Sequence, residues 1–144
     1  MTGFLVDTNV LSEFNRRGAP DPQVKQWLAA ADPDSLYVSV LTLGELRFGV
    51  ELLLASKRRT QLQQWLERDL PEWFEGRILP VDQAIVHRWG KLRAQAKRQG
   101  KPLPVIDALL AATALQHNLT IVSRNVSDFR IAGLPVMDPW QSST

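Results

Sequence analysis

Three carboxylates stand where acidic side chains are costly. Asp7 closes the apolar run Phe4-Leu5-Val6, Glu45 lies early in the apolar stretch from Leu41 to Leu54, and Asp107 sits at the start of Val105 to Leu115, whose other residues are apolar or alanine except Thr113. Desolvating an unpaired ion costs several kcal/mol or forces it to neutralise, so each of these side chains needs a partner. In open α/β sheets the strand ends and the helix starts that follow them converge on one crevice. Acids meeting there repel one another by about 4 kcal/mol per pair at ~4 Å and an effective dielectric of ~20. A divalent cation removes that repulsion. The chain has no cysteine, and its two histidines, His87 and His117, lack metal-ligand spacing and read as structural. An oxygen-only set selects Mg²⁺ or Mn²⁺ over zinc. Such an ion keeps several waters, can lower the pKa of one of them, and stabilises charge developing on a phosphodiester, so nuclease chemistry fits. Each acid also has a structural role open to it: Asp7 as a helix cap, Glu45 as the partner of Arg47 or another base, Asp107 as a favourable charge at a helix N-terminus.

The elements that must position these acids alternate in type. Short branched apolar runs predict strands at Phe4 to Asp7, Leu36 to Val40, Arg77 to Val81, Leu119 to Ser123 and Leu134 to Met137, the last confined to a sheet edge by Pro135. Helical periodicity covers Val10 to Arg16, Gln23 to Ala31, Leu41 to Ala55, Thr60 to Leu70, Gln83 to Gln99 and Val105 to His117. That alternation implies an α/β fold, a mainly parallel β-sheet flanked by α-helices. The helix from Leu41 is apolar nearly all round and is expected to be largely buried, and the one from Val105 is expected to be central. The helix from Gln83 is expected on the surface, with Ile85, Trp89, Leu92 and Ala96 facing inward. The breaker clusters are too short to be interdomain linkers, so residues 1–144 read as a single domain.

Four segments in order carry a resemblance over nearly the whole chain. They are Phe4-Leu5-Val6-Asp7-Thr8-Asn9-Val10, then Ser39-Val40-Leu41-Thr42-Leu43-Gly44-Glu45-Leu46 followed by Gly49, the helix containing Asp107, and Ser123-Arg124-Asn125-Val126-Ser127-Asp128-Phe129. With them the sequence resembles the PIN-domain nucleases, and among these the VapC-like toxins of toxin-antitoxin pairs. The resemblance implies a Mg²⁺ or Mn²⁺ site on Asp7, Glu45 and Asp107, endoribonuclease activity on RNA, a homodimer, and inhibition by a VapB-like antitoxin. It also implies supporting polar roles for Asn9 and Ser39. The antitoxin is expected to cross the apolar helices near the site and to push an Arg or Lys toward the acids. Many relatives place an acid where this chain has Asn125, whose amide oxygen could still serve as a weaker metal ligand. Asp128 could stand in for that acid, but Ser127 and Asp128 read more simply as turn-forming residues.

Composition narrows the alternatives. The chain has 144 residues, 44% of them hydrophobic and 22% charged, which is globular usage, and a chain of this length buries about 70% of its unfolded surface without cross-links. Without cysteine there is no disulfide scaffold, thiolate zinc site or cysteine nucleophile, and no run is long enough to span a membrane, so the cytoplasm is the simplest location. The net charge is only +2, yet no acid occurs from Gln83 to Ile106, where Arg88, Lys91, Arg93, Lys97, Arg98 and Lys101 all fall. That face, with Arg93, Lys97 and Arg98 as the expected RNA contacts, is either a phosphate-binding surface leading toward Asp107 or a solvated helix face. Lys57-Arg58-Arg59 is expected to be a surface turn. Trp27 and Trp89 read as core, and Trp65 as packing or interface. Two other functions stay open: a catalytically silent module that binds nucleic acid or a protein, and a phospho-acceptor receiver domain. The receiver would want an acidic pair where Val6-Asp7 offers one acid.

Overall fold

In the computed structural model, which describes residues 3–15 and 18–141, five parallel strands form one sheet in the order β3-β2-β1-β4-β5. The strands are β1 (Gly3–Val6), β2 (Leu36–Ser39), β3 (Ile78–Leu79), β4 (Leu119–Val122) and β5 (Val136–Met137). Each matches an expected strand: β1 is shifted one residue earlier, to Gly3–Val6, the other four are shorter than expected, and β5 does occupy an edge. β1 lies at the centre, with Phe4 opposite Leu36 on one side and Val6 opposite Val122 on the other. The chain first builds outward from β1 through β2 to β3 and then returns to lay β4 on the other side. The reversal puts a crevice at the carboxyl ends of β1 and β4.

Successive strand residues point to opposite faces, and the two cores divide accordingly. Val6, Val38 and Val122 pack with Val10, Val24, Leu46, Leu70 and Phe74, under α1 (Thr8–Leu11), α2 (Pro22–Ala30), α3 (Val40–Glu51), α4 (Lys57–Gln64) and α5 (Leu70–Trp73). On the opposite face Leu5 and Ile121 pack with Leu110, Ala111, Ala114 and Phe129, under α6 (Gln83–Arg98), α7 (Val105–His117) and α8 (Val126–Ile131). The sequence-level cues act where they stand. Asp21 caps α2 just ahead of Pro22, Asp82 caps α6 through the Ile85 amide, and Asn118 takes the left-handed conformation that stops α7 one residue before β4. α7 is central as expected, with Ala108 and the run Leu110–Ala114 buried.

Several expectations are corrected. The first helix is shorter than Val10 to Arg16: α1 gives way to a 3-10 turn at Ser12–Phe14, and Arg16 lies outside the described residues. Lys57-Arg58-Arg59 is no turn but the start of α4, where Arg58 donates to the Asn15 carbonyl and Arg59 to the Leu53 carbonyl and Glu51. Ser127 and Asp128 also belong to a helix, α8. Trp27 and Trp89 are only half buried. Trp27 meets Phe4 edge-on, and Trp89 donates to the Val105 carbonyl beneath the Arg93 guanidinium. The largest correction is α3, of which only Thr42, Leu46 and Val50 are buried, while Phe48 is 66% and Leu52 69% exposed. A helix that is apolar all round cannot choose its inner face by periodicity, and here the sheet covers one side only.

That one-sided burial has a measurable consequence. Leu46→Ala should cost about 2 to 5 kcal/mol in urea unfolding, because it leaves a cavity in the core. Leu54→Ser, just beyond the helix at an 87% exposed position, should change stability by less than about 0.5 kcal/mol.

Candidate active site

The end of β1 delivers Asp7 into the crevice, where it is 7% exposed. One carboxylate oxygen caps α1 by accepting from the Thr8 amide at 2.7 Å. The other accepts from the Ser123 hydroxyl at 2.7 Å and from the Asn9 amide group at 3.4 Å. Asn9 also donates to Ser123 Oγ at 3.1 Å and accepts the Arg124 amide at 3.3 Å, so the ends of β1 and β4 are tied through polar side chains as well as by the sheet. Glu45 reaches the site from α3, held by the Thr8 hydroxyl at 2.6 Å. Its surface is exposed, which corrects the expectation of a buried acid. Arg47 does not pair with it: that guanidinium binds Glu67 at 2.8 Å and Glu51 at 3.7 Å.

Asp107, in the first turn of α7, faces the crevice from the other layer. Asn125 follows β4 and donates from one amide nitrogen to Asp107 at 2.8 Å and to Asp128, on α8, at 3.0 Å. Asn125 therefore enters the cluster as a donor that links two acids, leaving its amide oxygen outside those bonds. Ser39 is buried but serves the helix rather than the acids, since its hydroxyl accepts the Leu41 amide and caps α3. Arg93, Lys97 and Arg98 are exposed on α6, a helix that packs against α7 in the small cluster of Ala96, Leu103 and Ala108.

Sequence reasoning gave no role to Ser123 or Thr8 and set Asp128 aside as a turn residue. Ser123 was visible as the polar residue that ends β4, parallel to Asp7 ending β1. No local pattern announces a six-residue helix such as α8, and without it Asp128 has no direction.

Electrostatically these acids form one system. Burial pushes the Asp7 carboxyl up, opposed by its bonds from Ser123 and Thr8 and reinforced by the charge on Glu45. Asp107 is raised to about 6, first by burial, then by the charges of Asp7 and Asp128, the hydrogen bond with Asp128, and the charge of Glu45. Among the described residues no Lys or Arg forms an ion pair with any of the four. Nor, among the described residues, do three acids or histidines already stand in a metal-binding arrangement. The chemistry of the donor set nevertheless fits a hard cation: carboxylates that repel one another and an amide oxygen, with no ion-paired Lys or Arg among the described residues.

A five-stranded parallel sheet with acids gathered at the β1/β4 reversal defines a PIN fold, and the chain belongs to the PIN domain family, whose model matches residues 4–133. Among its relatives is the toxin FitB of Neisseria gonorrhoeae, 40% identical over 94% of this chain and 97% of the relative. Another is the VapC ribonuclease Y4jK of Sinorhizobium fredii, 39% identical over 95% and 97%. A solved structure of FitAB bound to an IR36 DNA fragment superposes with a TM-score of 0.93, at 36% identity and 98% coverage of both chains. No helix among the described residues is long and apolar enough to cross a membrane.

The raised Asp107 pKa fixes a direction for pH dependence. The folded chain holds this proton up to about 6 while the unfolded chain releases it near the ordinary carboxylate value. The stabilisation is thus complete below that ordinary value and is lost as pH rises through about 6. Melts of metal-free protein should show wild type losing stability relative to Asp107→Asn between about pH 4 and pH 7. Carboxyl-carbon NMR should place the Asp107 midpoint near 6.

Proposed function

We propose that this protein is the toxin of a VapBC-type pair, an endoribonuclease that hydrolyses RNA phosphodiesters at a site where Asp7, Glu45 and Asp107 hold Mg²⁺ or Mn²⁺. The observation that carries the reading is the set of four mutually repelling carboxylates at the β1/β4 crevice with no basic partner among the described residues. The names of the relatives and the FitAB neighbour support it. When bound, the ion supplies Lewis-acid stabilisation of a phosphoryl oxygen and a water of lowered pKa. The chain's own residues do the positioning. Ser123 and Asn9 orient the outer oxygen of Asp7, Thr8 pins Glu45, and Asn125 ties Asp107 to Asp128. Asn125 is then a weaker, neutral contributor to ion binding, Asn9 a support of Asp7, and Ser39 a support of the helix that carries Glu45.

The exposed residues Arg93, Lys97 and Arg98 attract the RNA backbone toward the crevice. Beside Glu45, an apolar groove lined by Val40, Leu41, Phe48 and Ile106 is where a VapB-like antitoxin docks, close enough to the acids for an Arg or Lys of that partner to replace the ion's charge. The active form is a homodimer in the cytoplasm, where RNA and antitoxin are both at hand.

Purified, partner-free protein should cleave total RNA with Mg²⁺ or Mn²⁺ and not with EDTA. Asp7→Asn and Asp107→Asn should each lower the rate by more than about 100-fold, beyond the loss that outer-shell changes give, while unfolding stays cooperative. Cleavage by either variant at the wild-type rate would overturn the site.

A second expectation concerns Asn125. Asn125→Asp removes both amide bonds and adds a like charge, so metal-free stability should fall by about 1 to 3 kcal/mol. Added Mg²⁺ should restore it and bind more tightly than to wild type, as calorimetric titration and paired melts would show.

A further inference from the structure

Ser123, Arg124 and Asn125 leave β4 in succession, and the outer two face the acids. Ser123 bonds Asp7, and Asn125 bonds Asp107 and Asp128. Arg124, between them, goes elsewhere. Its amide is fixed by Asn9 at 3.3 Å, and its guanidinium carbon lies 4.6 Å from the centroid of the Trp140 ring. It lines an open cleft of about 600 Å³ with Asn125, Ser127 and Arg130 on one side and Asp138 and Gln141 on the other. Asn125 thus belongs to both the acid cluster and the cleft, so the two are continuous.

The charges change sign across that shared residue. Among the described residues neither Arg124 nor Arg130 forms an ion pair with a carboxylate. Asp138, the one acid among the described residues that line the cleft, accepts the Trp140 amide at 2.9 Å. A guanidinium held over an indole ring gives up part of its rotamer freedom in advance and keeps N–H donors for a planar or tetrahedral anion. Arg124, held in this way, and Arg130, exposed on the same wall of the cleft, are placed for the next phosphate of a strand that lies over the acids.

We infer that the cleft between α8 and β5 is a subsite for the phosphodiester adjacent to the one cut, gripped by Arg124 and Arg130, and that it sets the register of the RNA strand over the acids. The inference rests on the ribonuclease reading above and adds a substrate contact distinct from the α6 face. A contact made equally before and during the reaction raises KM when removed and leaves kcat nearly unchanged.

The test uses a short RNA of known cut position, carrying one uncharged methylphosphonate linkage placed in turn at each position around the cut. In wild type, the neutral linkage at one adjacent position should raise KM about tenfold, with kcat within about threefold. In Arg124→Gln/Arg130→Gln, KM should already be raised and the neutral linkage should add nothing further. The slope of log KM against log salt should fall by about 0.7, the value for one single-strand phosphate no longer neutralised. Arg124→Lys should recover part of that slope. Should loss of the Trp140 stack prevent folding, Arg130→Gln alone, at an exposed position, should show about half the slope change. A double variant with wild-type KM and undiminished sensitivity to the neutral linkage would overturn the subsite and leave the ribonuclease reading standing. Failure of wild type to cut any RNA with Mg²⁺ or Mn²⁺ would remove that reading and the subsite with it.

Discussion

Asp7 is a carboxyl group placed almost out of water at the carboxyl end of the central strand, and the molecule around it is arranged to tolerate that position. Three donors supply part of the hydration it has lost: the Ser123 hydroxyl, the Thr8 amide and the Asn9 side chain. They come from the two strand ends that the β1/β4 pairing brings together, so the register of Val6 against Val122 is also the register of the site. A slip of one residue would point Asp7 into the opposite core and leave Ser123 without its acceptor. Donors alone do not meet the cost. The Asp7 carboxyl is still pushed up by burial, and Asp107 still rises to about 6. What remains is repulsion among acids that belong to different layers of the fold, which no rearrangement within one layer relieves.

The two helical layers do different work because of this. α7 is buried along its alanine-rich length and brings Asp107, in its first turn, to the crevice beside Asn125. α3 is buried along one stripe only, and it brings Glu45 to the site from the solvent side of the crevice. The acid cluster is therefore closed toward the protein and open at Glu45 and Asn125. Apolar surface adjoins the first of these openings and basic surface the second.

How much of this the sequence carries depends on whether a residue's role is local. Asp7 and Asp107 are legible because their flanks are apolar on both sides, and an ion in such a run must be held by something. The five strands are legible for a related reason: parallel strands buried on both faces read as short branched runs. Glu45 was found, but its exposure was not, since the apolar residues around it serve a surface as well as a core and periodicity does not distinguish the two. Ser123 and Thr8 matter through partners far along the chain, at separations of 116 and 37 residues, and no spacing rule reaches that far. Asp128 needed α8, a helix too short to leave a pattern.

The distribution of charge ties these observations together. A net charge of +2 on a chain with 17 basic and 15 acidic residues says little about nucleic-acid affinity by itself. In the fold, four of the acids are gathered at one crevice, while a run of bases occupies the exposed side of α6 and two more line the cleft beyond Asn125. A polyanion approaching the bare acids would be repelled, and one approaching the basic surfaces would be drawn in but left away from the acids. Only with the acids neutralised does the surface become continuous for a phosphate backbone. An added divalent ion and a partner's basic side chain would both supply that charge, yet only the ion can also activate water. Under the proposed function, the charge that would favour a substrate complex when an ion supplies it would favour an inhibited complex when an arginine or lysine does. On the proposed function, activity and inhibition compete for one set of carboxylates.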